Sequence, residues 1–68
     1  MSIVVTVEPG VGFVATARQG GREYIANGSA PEIAVKIAAA GLVSRYPTDI
    51  AAERRAPNLW IATEKTRR

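Results

Sequence analysis

The sequence predicts an α+β domain: an antiparallel sheet of three to four strands with one main helix packed on one face, in the order β-β-β-α-β. Three observations carry that expectation. Near its start the chain has an all-β-branched run, Ile3-Val4-Val5-Thr6-Val7, which suits a pleated surface. Glycine-marked breaks follow at Pro9-Gly10, Gly12 and Gly20-Gly21, spaced as hairpin turns are spaced. Ser29-Ala30-Pro31-Glu32 then stands ahead of an alanine-rich amphipathic stretch, a helix start followed by a helix face. A run of strands followed by a helix implies a sheet covered by that helix.

Each element has a local reason. Residues 3–7 form the first strand, and Pro9-Gly10 ends it. Residues 13–18 form the second, with Phe13, Ala15 and Ala17 on one face and Val14, Thr16 and Arg18 on the other. The short link makes the pair an antiparallel hairpin. Gly20-Gly21 supplies the positive φ angles of a tight turn, and residues 22–26 return as the third strand. Ser29 and Glu32 have the spacing of a capping box, with Pro31 in the first turn, where its missing N–H costs nothing. The helix is expected over residues 30–45, burying Ala34, Ile37, Ala38, Gly41 and Leu42, and Pro47 stops it. Thr48-Asp49 caps a short second helix over 50–55, which Pro57 closes, and residues 59–63 are the last strand. The expected organisation is one domain over 1–63 and a basic tail over 64–68.

Composition bears on function mainly by exclusion. The 68 residues contain no histidine and no cysteine, so the commonest general base, the thiol nucleophile and the usual transition-metal ligands are missing. No enzyme, no cofactor and no metal site are expected, and a disulfide scaffold is ruled out. Glu8 and Glu23 read as solvated sheet positions rather than a catalytic pair. Ser29 has no base to activate it and is a cap. The glycine pairs open no helix and are turns, not phosphate loops. The first residues lack the basic start of a signal peptide, and no run approaches the roughly 18 apolar residues of a membrane span. The expectation is a cytoplasmic protein with no membrane partner.

What remains is binding. With 47% hydrophobic residues and a net charge of +3, the chain reads as a small interaction module. In the last strand Leu59 and Ile61 point away from Trp60, so both faces there are apolar, the mark of a protein–protein surface. The sheet face away from the helix, with Val14, Thr16 and Arg18, is the second candidate surface, while Phe13 packs beneath the helix. The expected partner is a protein, a second copy of the chain included. The alternative is a nucleic acid held by Arg18, Arg22, Arg45, Arg54, Arg55, Lys65, Arg67 and Arg68 on one basic face. Phe13 and Tyr24 on adjacent strands also have the types that stack on bases.

Val7-Glu8-Pro9, Gly12-Phe13-Val14-Ala15 and Gly28-Ser29-Ala30-Pro31-Glu32-Ile33-Ala34, followed by a strand over 59–63, resemble HicB-type antitoxin domains in order and spacing over about two thirds of the chain. That resemblance implies a β-β-β-α-β domain that neutralises a small ribonuclease toxin as part of an oligomer. A non-catalytic module that inhibits or regulates a protein partner, antitoxin-like or phage-encoded, is the reading that follows. Gly28-Ser29 and Ala38-Ala39-Ala40 are similar to the helix of double-stranded-RNA-binding domains. Those domains carry a lysine pair where this chain has Ala30-Pro31-Glu32.

Overall fold

In the computed structural model, which describes residues 2–65, the first half of the chain folds as the alternation of its side chains dictates. Strands β1 (Ser2–Gly10), β2 (Gly12–Gln19) and β3 (Arg22–Gly28) form an antiparallel meander. Ile3, Val5 and Val7 of β1 point into the core together with Ala15 and Ala17 of β2 and Ala26 of β3. Phe13 is half-buried against them. β1 continues through Pro9: Gly10 pairs with Gly12, and Val11 alone forms the tip. Proline is tolerated there because the strand on the other side of β1 ends its register at Thr6, so no ladder N–H is missed. Gly12, Gly20 and Gly21 have φ of +80°, +56° and +82°, the left-handed values expected of the two turns.

The helix α1 (Pro31–Val43) starts and stops inside the expected range. Its N-cap is Ala30, with no side-chain cap, so the Ser29–Glu32 capping box does not form. Glu32 instead pairs with Lys36 one turn on, at 3.2 Å. At the other end Ser44 turns left-handed (φ 59°), and the Arg45 N–H closes on the Ala40 carbonyl at 2.8 Å. The helix therefore ends before residue 45. Its buried residues are Ala34, Val35, Ala38, Ala39, Ala40 and Leu42, with Ile37 and Gly41 only half-buried. Small residues let it sit close to the sheet: a Cβ on Gly28 would lie 2.7 Å from the Ala34 backbone nitrogen.

The second half departs from the expected order. A 3-10 turn over Pro47–Asp49 is followed by two strands, β4 (Ile50–Ala56) and β5 (Leu59–Glu64). The short helix expected over 50–55 is a strand. Pro57-Asn58 is the turn of a β4–β5 hairpin, with a register shift between Arg54 and Ala56. β5 also pairs with β1, Val5 facing Trp60. The result is a five-stranded antiparallel sheet in the order β3-β2-β1-β5-β4, with one helix on one face. The class is the α+β class the sequence predicts, and the architecture is β-β-β-α-β-β rather than a three- to four-stranded β-β-β-α-β.

Alanines make up more than half of the covered core, and Ile3, Ile50, Val5 and Val35 are its largest fully buried side chains. Trp60 belongs to this core at 9% exposure, and its indole Nε1 is buried without a hydrogen-bond acceptor.

Candidate docking surface

The helix covers one face of the sheet, and the strand register fixes what the other face displays. Across that open face the first row reads Glu23, Arg18, Val4, Ile61, Glu53, from β3 through β2, β1 and β5 to β4. The next row reads Ile25, Thr16, Thr6, Leu59. Val14, paired with Glu8 and Asn27, starts a third. Val4 is 44% exposed and Ile25 59%. Leu59, Ile61, Val14, Thr6 and Thr16 are half-exposed, sheltered by their neighbours rather than by another layer. β-branched and threonine side chains are what a pleated surface favours, whether or not a second layer covers it.

Charged pairs border this apolar centre. The Arg18 Nε donates to Glu23 Oε2 at 2.9 Å on the β2–β3 side, and Arg55 Nη2 lies 3.4 Å from Glu53 Oε1 on the β4 side. Both pairs are largely solvated and contribute at most about 1 kcal/mol each. Beside the β2–β3 turn, Ser2, Val4, Arg18, Gln19 and Glu23 line an open depression of about 640 Å³. A smaller apolar groove of about 280 Å³ lies on the helix layer between Ile33, Ile37 and Pro47.

Of the protein-binding candidates, Val14, Arg18, Leu59 and Ile61 meet on this one face. Trp60 does not join them. Alternation along β5 turns its ring to the helix side of the sheet, where it packs among the buried residues. Sequence reasoning missed Val4, Ile25 and Glu53. The signal for the first two was the alternation of β1 and β3, in which Val4 must oppose Ile3 and Val5, and Ile25 must oppose Ala26.

The basic candidates are spread over both layers. Arg18 and Arg55 stand on the open face, each beside a carboxylate. Arg22 turns the other way and donates from Nη2 to the Leu42 carbonyl at 2.6 Å, capping the C-terminal end of α1. Arg45 pairs with Glu64 at 3.1 Å, and Arg54, opposite Trp60, shares the helix side. The Lys65 N–H closes on the Asp49 carbonyl. Arg67 and Arg68 lie outside the described residues. Glu8 and Glu23 sit at opposite ends of the sheet, Glu8 level with Val14 and Glu23 level with Arg18. Tyr24 rests its ring on Gly41 of α1, on the helix side with Phe13. Among the described residues no group of three or more aspartates or glutamates stands where it could hold a metal ion, and no helix is long and apolar enough to cross a membrane.

No family model, no curated protein and no solved structure matches the chain.

Proposed function

We propose that this protein is a small non-catalytic interaction module that inhibits or regulates a protein partner by covering it with the open face of its sheet. The observation that carries the reading is the apolar patch of Val4 and Ile61 in one row and Ile25 and Leu59 in the next, with no layer of the described residues over it. Contiguous apolar area bordered by charge is what protein interfaces bury. The resemblance of the stretches within residues 7–34, with the strand over 59–63, to HicB-type antitoxin domains supports occlusion as the form that regulation takes. The described basic residues support the nucleic-acid alternative less, because they are divided between two layers and several already face carboxylates.

Ile61→Glu tests the reading. It puts a charge at the centre of the face while leaving the core side of β5 untouched. Wild-type protein is expected to retain a stoichiometric protein partner from nuclease-treated native lysate. The variant, folded by circular dichroism, is expected to bind that partner at least about thirtyfold more weakly, roughly 2 kcal/mol. Recovery of nucleic acid alone, lost on nuclease treatment, would overturn it.

A further inference from the structure

We infer that the open face docks on the same face of a second copy of the chain, about a two-fold axis that runs along the strands between β1 and β5. The inference rests on the reading of this face as the docking surface and names an occupant for it.

The argument is the order of side chains in one row. From β2 to β4 the row reads Arg18, Val4, Ile61, Glu53: cation, apolar, apolar, anion. A two-fold interface sets each residue against the one at the mirrored place in the row. Turning this row about its midpoint, between β1 and β5, puts Val4 on Ile61 of the second copy and Arg18 on Glu53 of the second copy. Both contacts occur twice. The next row then lays Thr6 over Leu59 of the second copy. An axis through β1 itself would instead set Glu23 against Glu53, so charge selects the axis between β1 and β5.

Both charged groups have a partner within the chain, Glu23 for Arg18 and Arg55 for Glu53, and both pairs are exposed enough to share a second one. Arg18 uses Nε for Glu23, leaving its two terminal nitrogens for a second carboxylate. The depression beside it, about 640 Å³, gives the incoming Glu53 side chain room. Aligned packing of two sheets about 10 Å apart keeps the central rows in register despite a twist of about 30°. Four strands about 4.8 Å apart and about six residues long cover roughly 400 Å² of flat footprint per copy. With side-chain relief the pair buries on the order of 1,000 Å² in total. That is the lower end of specific interfaces. β3, with Ile25, lies beyond the partner's edge and stays open.

Charge reversal tests the pairing by sedimentation velocity across the micromolar range. Arg18→Glu sets two glutamates against each other twice, and Glu53→Arg does the same with two arginines. Each variant alone is expected to self-associate about tenfold more weakly or worse. An equimolar mixture of the two restores both opposite-charge contacts in one heterodimer, and its affinity returns to within about threefold of wild type. Two misfolded variants cannot rescue each other, so recovery in the mixture reads the contact itself. A mixture no better than its components overturns the proposal. So does a wild type that stays monomeric while Ile61→Glu still abolishes capture of a different protein, an outcome that leaves the docking reading standing.

Discussion

A methyl group added at Gly28 would meet the Ala34 backbone, 2.7 Å from its nitrogen and 2.9 Å from its Cα. Neither atom can give without moving the first turn of α1 off β3. At Gly41 an added methyl would run into the Tyr24 ring, but that ring is 44% exposed and can swing outward. Alanine at a helix interior also gains about 1 kcal/mol over glycine in propensity. The two substitutions should therefore separate. Gly28→Ala is expected to lose about 2–3 kcal/mol, as overpacking does, while Gly41→Ala stays within about 1 kcal/mol of wild type. Urea denaturation followed by circular dichroism measures both, and equal losses would show that the two close approaches are not the constraint they look like. Neither contact was legible in the sequence. Gly28 stands in the sequence only ahead of the helix start and Gly41 only on the expected buried face of the helix, because what sits opposite a glycine is a tertiary fact.

At the scale of the element, the sequence is legible where local preference and tertiary pairing agree. The first three strands and their glycine turns fall in place because β-branched runs and positive-φ glycines have few other uses. Ile50-Ala51-Ala52-Glu53-Arg54-Arg55 was misread for the converse reason. Alanine, glutamate and arginine are good helix formers, and Thr48-Asp49 is a plausible cap. Pairing with β5 outweighs that preference. The signal for the hairpin is Pro57-Asn58, a turn pair between two runs, although Pro57 equally suits a helix stop. The capping box failed similarly. Its spacing is right, but Ala30 is the extended residue at the cap position (φ −139°, ψ 153°), one step too late for Ser29 to serve. That one-residue offset is testable. Ala30→Asp supplies the missing acceptor and is expected to stabilise the protein by about 1 kcal/mol, whereas Ser29→Ala is close to neutral. Thermal melts that rank the two the other way round would return the cap to Ser29.

For the whole molecule, the strand order matters more than any single element. β1, near the start of the chain, is the middle strand, and β5 pairs along it, so the last hairpin is joined to the first strand rather than to its sequence neighbour α1. The helix leans toward β3 and β2 and touches β5 only lightly. The β4–β5 half of the sheet is thus closed by few side chains, chiefly Trp60 and Ile50, and Ile50 is fully buried although β4 is an edge strand. This division was not legible, since a helix expected over 50–55 put Ile50 in a different element. It was equally invisible that Trp60 faces inward and leaves Leu59 and Ile61 to the open face. A domain of this size has a stability on the order of 3–10 kcal/mol, and the alanine-rich core leaves little redundancy. Removing three carbons from a closed site costs about 2–5 kcal/mol. Ile50→Ala should therefore lower the melting temperature by roughly 8–40 °C, at roughly 4–8 °C per kcal/mol for a chain this short. Ile33→Ala, on the outer face of α1 at 47% exposure, should shift it by no more than about 4 °C. If the two shifts were alike, β4 would not be held by its buried end, and the five-stranded sheet would have to be stabilised from its other half alone.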